Sequence, residues 1–543
     1  MHNPSEPALL AVRSLVVYAL LLIPGGLALA STVGASLPTA EARCEALVDV
    51  DFTNIPDAPT QLLNTRVEPA QDKTPAYCDV RGYVSPQIGF DLRLPLSHWN
   101  KNYLQLGAGG WGGVIGRHCA EFLRRGYACA ESDTGHQGTG GLWAADNLQA
   151  QLNFGYRGVH VTRLAARAIV EHYYALGTQK SYFFGCSTGG YEGLVEAERF
   201  PWDFDGIIAG APDMDEAELS ARELWARRVL LDQSGPILDP AALETLHAAA
   251  LDACDANDGV RDGIIGDALT CRVSVEGLVC KAGRTNHCLT WRQAKAAQQM
   301  YQGPPTFPQS VRGALPGSER MWIKGLVKTT YLDNLFEHMI YGLTNVTSAN
   351  FDFDRDYRRL GLAANYTDTN PDLRRFKGAG AKLLMYQGES DIVEMPTAAV
   401  DFYESVERLI GNHKDTDSFL RLFMVPAMNH CGGGDGAYVI DYLAAMEAWV
   451  EQAVTPEKLI GVHPDDDFLA AQPLPTDLST ADIASLTRQD RIAIAAGQLS
   501  FPLDPSLPIA FARPIYPYPM VANYRGRGNE NDAANFLPVT SSN

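Results

Sequence analysis

Ser187 and His430 are the residues of this chain whose types and settings could support nucleophilic catalysis. Ser187 lies in a Gly-Cys-Ser-Thr-Gly-Gly segment, and His430 is followed directly by a cysteine. A serine nucleophile needs its base within hydrogen-bond reach, about 2.6–3.2 Å. If the two side chains meet, their neighbours Cys186 and Cys431 also come within the roughly 4.4–6.8 Å between Cα atoms that a disulfide requires. The two segments therefore predict each other, with a Cys186–Cys431 bridge fastening the histidine loop to the serine turn.

The residues around Ser187 predict a strand, a sharp turn and a helix. An aromatic strand is expected over 180–184 and a helix over 190–199, with Pro201 just beyond its end. Flanking glycines relieve crowding at such a turn, so that the serine hydroxyl projects from the sheet and the Thr188 amide faces a developing oxyanion. The alternative is a glycine-rich turn that merely contains a serine.

A carboxylate between Ser187 and His430 in the chain is expected to orient the histidine, because hydrolases with this turn present Ser, then Asp or Glu, then His. Asp391 fits best, since it follows a predicted buried strand over 381–388. Glu389 is the nearest rival. Asp435 ranks third, because it follows the histidine in the chain.

A second glycine-rich loop, residues 107–113, follows another predicted strand, Tyr103–Leu106. Gly109 or Gly110 is the expected second oxyanion donor beside Thr188. A phosphate-binding loop is the rival interpretation, but neither a GxGxxG pattern nor a P-loop lysine is present. His136 is a weaker candidate base in a segment that we expect to support this loop, because it precedes Ser187.

Three aspartates, Asp255, Asp258 and Asp262, form a candidate calcium loop. Carboxylates are hard oxygen ligands of the kind that Ca²⁺ prefers, and the glycines between them permit sharp turns. The spacing departs from the EF-hand pattern. The alternative is an acidic surface turn that binds no ion.

The amino terminus and the charge indicate an exported protein. Residues 1–30 combine one basic residue, a short apolar run and a small-residue cleavage site, as in a signal peptide; a second candidate cleavage site follows Ala42. A membrane anchor is the alternative, although the apolar run is short. With 64 acidic against 44 basic residues and a net charge of −20, nucleic acid and anionic membranes are not expected partners.

The chain is long for one core, and about 200 residues separate Ser187 from Asp391. The excess predicts a lid inserted into a catalytic domain. We expect catalytic segments over 31–212 and 376–543 and the lid over 213–375, with most of its aromatic residues Trp225, Trp291, Trp322 and Phe336 in the lid core.

These motifs together resemble the tannase and feruloyl esterase family of α/β-hydrolases, which includes mono-hydroxyethyl terephthalate hydrolases. The resemblance rests on Cys-Ser, Asp and His-Cys in this order, and on the aspartate loop. It implies an α/β-hydrolase fold with a large inserted lid that holds a structural Ca²⁺. It also implies that the carbonyls of Val260 and Ile264 join the three aspartates as ligands.

Ten cysteines form an even set that an exported protein is expected to oxidise. The family pattern implies Cys44–Cys78, Cys254–Cys271 and Cys280–Cys288, which leaves Cys119 and Cys129 as the remaining pair. Zinc ligation is disfavoured because no CxxC pair occurs. Family members often carry a cysteine pair in the carboxyl-terminal tail, whereas this chain has none after Cys431, so its tail must be held by packing.

The sequence thus predicts a secreted or periplasmic serine carboxylesterase that works through an acyl-enzyme. The resemblance implies a small aromatic ester as substrate: a feruloyl, galloyl or terephthalate monoester. An esterase of aliphatic or short polyester substrates is the first alternative. A non-catalytic binding protein on a hydrolase fold is the second.

Overall fold

The computed structural model describes residues 38–541 apart from residues 72, 117, 282–285, 305–312, 327–328, 341–345, 357–368, 475–485, 497–498, 500 and 502. The predicted signal peptide over 1–30 therefore lies outside the described residues. Within the described part of the chain, no helix combines the length and the apolar composition that crossing a bilayer requires.

A nine-stranded mixed sheet runs through the centre of the molecule. In chain order its strands are β1 (Thr60–Glu68), β2 (Tyr77–Val84), β3 (Ile88–Pro95), β4 (Asn102–Leu106), β5 (Ala128–Ser132), β6 (Lys180–Cys186), β7 (Gly206–Gly210), β10 (Lys382–Gly388) and β11 (Leu420–Val425). Strands β8 (Leu231–Asp232) and β9 (Gly235–Pro236) form a separate short hairpin. Their order across the sheet is β1-β2-β3-β5-β4-β6-β7-β10-β11. The first three strands pair antiparallel, and from β5 to β11 every pairing is parallel.

Helices cover both faces of this sheet, which is why its parallel strands are almost continuously apolar. The helices are α1 (Ala40–Ala46), α2 (Ala120–Arg124), α3 (Leu148–Leu152), α4 (Gly158–Tyr174), α5 (Thr188–Arg199), α6 (Glu216–Leu230), α7 (Pro240–Cys254), α8 (Trp291–Gln302), α9 (Thr329–Asn334), α10 (Arg374–Ala379), α11 (Pro396–Ile410), α12 (His413–Asp417), α13 (Tyr442–Gln452), α14 (Asp466–Ala470) and α15 (Arg488–Ala496). Successive strand residues point to opposite faces. Phe183 and Met385 accordingly pack into one core cluster, while Tyr182 and Tyr386 pack into the other.

The segment between β7 and β10 adds no strand to the central sheet in its described residues, as an inserted lid requires. Helices α6, α7 and α8 pack in one core cluster around Trp322, which Ile392 and Met395 after β10 also join. Phe336 is also fully buried. Trp225 packs at the edge of the cluster around Trp322. Trp291 departs from the expected lid core, because it is 73% exposed. It is the first residue of α8, directly after the Thr290 capping box, and its side chain faces solvent there.

The carboxyl-terminal tail forms strands that do not belong to the central sheet. Strand β12 (Leu459–Pro464) pairs antiparallel with β13 (Ile509–Ile515), and β14 (Met520–Tyr524) pairs with β15 (Phe536–Thr540). Arg513 donates to Asp262 of the aspartate loop, and Ser541 donates to Asp267 over 2.6 Å. Hydrogen bonds and packing therefore hold the tail against the lid loop without a disulfide.

All ten cysteines are paired, and no free thiol remains. The structure contains the five predicted pairings: Cys44–Cys78, Cys119–Cys129, Cys186–Cys431, Cys254–Cys271 and Cys280–Cys288. The bridge between Cys186 and Cys431 closes the largest loop, with a sequence separation of 245.

Candidate active site

Ser187 occupies a strained turn between β6 and α5. Its backbone has φ 62° and ψ −126°, a conformation that a residue with a side chain adopts only when its surroundings enforce it. A Cβ on Gly185 would lie 2.3 Å from the carbonyl oxygen of Gly189, so a larger residue cannot occupy position 185. This is the strand, turn and helix that the sequence predicts, with the serine side chain partly exposed.

Asp391 and His430 form a hydrogen-bonded pair. The Nδ1 of His430 donates to Oδ2 of Asp391 over 2.9 Å. Oδ1 of the same carboxylate accepts the backbone N–H groups of Val393 and Glu394. Burial lowers the pKa of His430, but the charge and hydrogen bond of Asp391 outweigh burial and, with a contribution from Glu223, raise it above its usual value. The pair can hold the tautomer that leaves Nε2 free to accept a proton.

Gln387 also positions Asp391, although the sequence alone did not single it out. It is buried on β10, and its Nε2 donates to Oδ2 of Asp391 and to the carbonyl of Glu394, both over 3.0 Å. The carboxylate thus accepts four hydrogen bonds from its surroundings. The position of Gln387, four residues before Asp391, is the one sequence signal for this role.

The disulfide places His430 beside the serine turn. The Cα atoms of Cys186 and Cys431 are 5.9 Å apart, and each cysteine is adjacent in the chain to one of the two candidate residues. Among the described residues, Ser187 Oγ has no hydrogen bond of 3.5 Å or less. Catalytic hydrogen bonds are often long without substrate and shorten when it binds.

Two segments that meet at the serine turn carry backbone amides without an acceptor among the described residues. The N–H of Ser187 donates to Gly210, whereas that of Thr188 begins helix α5 and has no partner within the helix. The hydroxyl of Thr188 donates to the carbonyl of Gly110 over 2.6 Å. Among the residues described, the amides of Gly109 and Gly110 donate to no acceptor. The structure therefore brings together the three predicted oxyanion candidates.

Glu192 is a site residue that sequence reasoning missed. It is buried in α5, and its Oε2 accepts the backbone N–H of Ala108 over 2.8 Å. Burial raises the pKa of Glu192 to about 8, although that hydrogen bond lowers it. Its carboxyl group therefore ties the glycine-rich loop to the helix that carries Ser187. The sequence shows only an acidic residue five positions after the serine, inside the predicted helix, and this does not reveal its partner.

The rival candidates have other partners. Glu389 accepts the N–H of Ala268 in the inserted segment over 3.1 Å, and burial raises its pKa to about 8. Asp435 pairs with Arg320 at 3.3 Å on the surface. His136 stacks on Trp143, with ring centroids 3.9 Å apart, and burial lowers its pKa to about 4. None of the three contacts His430 among the described hydrogen bonds and ion pairs.

The segment before His136 supports the glycine-rich loop, as expected. The carbonyl of Asp133 accepts the N–H of Gly113 over 3.1 Å. Its carboxylate accepts the N–H groups of Gly89 and Gly135. These bonds fix the loop after β5 against the end of the glycine-rich loop.

The aspartate loop has a donor set that suits calcium. Burial raises the pKa of Asp258 to about 6, and the charges of Asp262 and Asp255 add to the rise. Three carboxylates therefore lie close enough to repel one another. Among the described residues, no group donates a hydrogen bond to the carbonyl oxygens of Val260 and Ile264. Carboxylate oxygens, together with carbonyl oxygens that accept no hydrogen bond, are suitable ligands for a divalent cation.

The carboxylates are also held by local bonds. Asp255 accepts the N–H of Asp262 over 3.2 Å and that of Gly263 over 3.3 Å, and Asp262 pairs with Arg513. Among the described residues, a separate cluster of possible metal ligands consists of His160, Glu196 and Asp203. Their ligand atoms lie within 4.8 Å of one another. That set lies where α4 and α5 meet, apart from the aspartate loop.

The arrangement as a whole can perform acyl transfer. A serine on a strained turn, a histidine held by a carboxylate and unpartnered amides above the turn are the groups that this chemistry needs.

Comparison with known proteins agrees with this chemistry. The chain is 30% identical to an uncharacterised esterase of Xanthomonas campestris pv. campestris, over 95% of this chain and 93% of that protein. It is 27% identical to mono(2-hydroxyethyl) terephthalate hydrolase of Piscinibacter sakaiensis, over 91% of each chain. Its fold matches the crystal structure of feruloyl esterase B from Aspergillus oryzae with a TM-score of 0.77, at 24% identity over 92% of this chain and 100% of that one. The predicted α/β-hydrolase fold is confirmed.

The family model described as tannase and feruloyl esterase matches residues 73–539. This range includes the central sheet from β2 onward, the inserted segment and the tail. The chain therefore belongs to the tannase and feruloyl esterase family and is a carboxylic ester hydrolase.

Proposed function

We propose that this protein is a secreted serine esterase that cleaves esters of aromatic acids through an acyl-enzyme, with Ser187, His430 and Asp391 as its catalytic triad. The observation that carries the proposal is the 2.9 Å hydrogen bond between His430 and Asp391, on a histidine that a disulfide fastens to the serine turn. Export is supported by five disulfides, which form in oxidising compartments.

In the first half-reaction Ser187 Oγ attacks the ester carbonyl carbon while His430 Nε2 takes the hydroxyl proton. The carbonyl oxygen gains a negative charge, which the amides of Thr188 and of Gly109 or Gly110 stabilise. The tetrahedral intermediate then breaks its bond to the alcohol oxygen, and His430 gives that oxygen the proton. The alcohol leaves, and the acyl group stays on Ser187.

In the second half-reaction water replaces the alcohol. His430 removes a proton from the water as its oxygen attacks the acyl carbon. Collapse of the second intermediate returns the proton to Ser187 Oγ and releases the acid. Throughout, the carboxylate of Asp391 stabilises the imidazolium form of His430, and the hydrogen bond from Gln387 holds that carboxylate in place.

The aromatic acyl group is supported by the relatives. Proteins named as probable feruloyl esterases, such as B-1 of Aspergillus terreus, are 29% identical over 70% of this chain, and the terephthalate hydrolase above acts on an aromatic monoester by its name. Ferulate, gallate and a terephthalate monoester are therefore the proposed acyl classes. Each is a flat ring that an aromatic-lined site can hold by stacking.

We also propose a structural Ca²⁺ in the lid, held by the carboxylates of Asp255, Asp258 and Asp262 and the carbonyls of Val260 and Ile264. When bound, the ion would neutralise the carboxylates and take no part in the reaction. The tail lies against this loop, because the carbonyl of Tyr524 would be 3.4 Å from a Cβ on Gly259. The ion would therefore stabilise both the lid loop and the tail.

A hydrolysis panel tests the proposed function. Purified enzyme and the Ser187→Ala variant are assayed with methyl ferulate, methyl gallate, mono-hydroxyethyl terephthalate and short aliphatic esters. We expect at least one aromatic ester to be cleaved with a kcat/KM well above that of every aliphatic ester, and the variant to be inactive. Preference for the aliphatic esters would identify the protein as an esterase of aliphatic or short polyester substrates. No cleavage of any ester by the wild-type protein would favour a binding protein.

A further inference from the structure

A histidine and two carboxyl groups lie together where α4 meets α5. His160 belongs to α4, Glu196 lies near the end of α5, and Asp203 lies in the loop that leads from α5 to β7. One ligand atom of each lies within 4.8 Å of the other two, and Nδ1 of His160 is 2.5 Å from Oδ2 of Asp203. Atoms that share a Zn²⁺ ion at about 2.0–2.2 Å are at most about 4.4 Å apart. Small movements would therefore let the three groups share one ion.

Glu196 is the member of this cluster whose carboxyl group lacks a partner. The residue is 1% exposed, and neither Oε1 nor Oε2 has a hydrogen-bond partner among the described residues. Buried carboxyl groups are normally satisfied by hydrogen-bond donors, by an opposite charge or by a metal ion. One oxygen of Glu196 lies within 4.8 Å of ligand atoms of both His160 and Asp203. The missing partner therefore belongs among these three side chains.

A nearby guanidinium, that of Arg163, does not fill this place. Its Nε donates to the backbone carbonyl of Asp203 over 3.0 Å and its Nη2 to Ser181 Oγ over 2.8 Å. Its Nη1 has no acceptor in the described part of the chain. The charged groups that act on Glu196 are the acidic Asp203 and Glu192 and the basic Arg163. Three acidic groups thus share one guanidinium, which favours a further cation.

The imidazole of His160 is held in position near the surface. It stacks on Phe200 with ring centroids 3.8 Å apart, and this contact fixes the plane of the ring. The His160 side chain is 14% exposed, against 4% for that of Asp203. Asp203 and Arg163 also line a cavity of about 480 Å³ where β6 and β10 begin. The cluster therefore lies close to solvent, as a site that takes up an ion must.

We propose that His160, Glu196 and Asp203 bind a Zn²⁺ ion in a structural site that ties α4 to α5. One imidazole and two carboxylates suit Zn²⁺, which takes nitrogen and oxygen ligands in a tetrahedral site, whereas Ca²⁺ takes six to eight oxygens. Glu196 lies eight residues beyond the start of α5, which is about 12 Å along the helix axis. The ion therefore acts on stability and takes no part in the reaction at Ser187.

Zinc titration of the purified full-length protein, freed of metal by a chelator, tests the site. Calcium is present in excess throughout, so that the aspartate loop does not take up zinc. We expect calorimetry to show one Zn²⁺ bound per chain, and the melting temperature to rise with the logarithm of free Zn²⁺. Absence of zinc binding, or binding that leaves the melting temperature unchanged, would overturn the proposal.

Two variants locate the ion. Glu196→Gln keeps the size of the side chain but removes its charge, and His160→Ala removes the nitrogen ligand. Each should weaken zinc binding by at least about tenfold. The matched controls Glu171→Gln and His172→Ala, at exposed positions of α4, should keep the wild-type affinity.

Circular dichroism checks that each variant is folded. If His160→Ala does not fold, Glu196→Gln decides alone, because it preserves the packing of α5. Wild-type zinc affinity in Glu196→Gln would show that the ion binds elsewhere and would overturn the assignment.

Discussion

At the scale of single residues, the chemistry depends on how firmly Asp391 holds His430. The carboxylate accepts hydrogen bonds from His430, Gln387 and two backbone amides. Such a network holds the imidazole in one orientation. The raised pKa of His430 is the measurable result.

The pH dependence of kcat/KM should report this pKa. His430 must be neutral to accept a proton, so the rate should fall on the acid side with an apparent pKa above the usual value of 6.5 for histidine. Asp391→Asn removes the charge that raises the pKa, so the acid limb should move to lower pH. The rate should also fall by about three to four orders of magnitude, because an asparagine amide can favour the wrong tautomer.

The control is Asp435→Asn, which removes a surface carboxylate that pairs with Arg320. It should keep both the wild-type rate and the wild-type acid limb. An Asp391→Asn enzyme with the acid limb of the wild type would show that another group titrates there.

Glu192 should matter through the glycine-rich loop. Replacing it by leucine leaves the N–H of Ala108 without an acceptor, so the loop with the oxyanion amides can shift. We expect kcat to fall by about 10- to 100-fold with KM little changed, since misplaced donors weaken the transition state most. Glu192→Gln keeps an oxygen acceptor and mimics the neutral acid, so it should restore most of the rate. Equal losses in both variants would contradict a positioning role.

At the scale of elements, the turn around Ser187 was predictable because its residues constrain it locally. The strand before it, the helix after it and the glycines beside it follow from periodicity and steric crowding. The strand before Asp391 was predicted over 381–388 and is observed over Lys382–Gly388. Where adjacent residues decide a conformation, the sequence is informative.

Contacts between distant elements were harder to predict. Glu192 reaches Ala108 across 84 positions of the chain, and no local pattern specifies such a pair. The exposed position of Trp291 also depends on how α8 packs in the inserted segment. The antiparallel strands β1 to β3 and the paired strands of the tail likewise follow from tertiary contacts that single-sequence patterns do not encode.

The Cys186–Cys431 bridge joins the two segments that carry the proposed nucleophile and base. On the chain-entropy model, closing this loop of 245 residues stabilises the fold by about 5 kcal/mol as an upper estimate. We expect the Cys186→Ala/Cys431→Ala double variant to lose about 100-fold in kcat even where it is folded, because a shift of roughly 1 Å in the histidine loop is enough.

The matched control is the Cys280→Ala/Cys288→Ala variant, which opens a loop of only 8 residues in the inserted segment. It should keep nearly the wild-type turnover. Rates are measured at a temperature where circular dichroism shows a native spectrum for both variants. Wild-type turnover by the first variant would mean that packing alone holds His430 in place.

At the scale of the whole molecule, hydrogen bonds join the carboxyl-terminal tail to the inserted segment that carries the aspartate loop. Arg513 of β13 donates to Asp262, and Asp267 accepts a hydrogen bond from Ser541. The tail thus completes the surroundings of the aspartate loop. These bonds hold a tail that has no cysteine after Cys431.

Calcium should therefore act on stability rather than on the reaction. We expect a chelator to lower the melting temperature, and added Ca²⁺ to restore it in proportion to the logarithm of its free concentration. The rate measured well below melting should change little. Asp258→Asn should weaken the response, whereas Asp252→Asn, an exposed residue of α7, should not. No metal by elemental analysis and no response to chelator would identify the loop as an acidic turn.

Ser187 is the proposed nucleophile, and covalent labelling is the most direct test of this assignment. A fluorophosphonate reacts with a serine that a neighbouring histidine activates, and the intact mass should rise by one adduct. Peptide mapping should place the adduct on Ser187, and Ser187→Ala and His430→Ala should each abolish labelling at neutral pH. An adduct on a different serine, or undiminished labelling of the Ser187→Ala variant, would contradict the account.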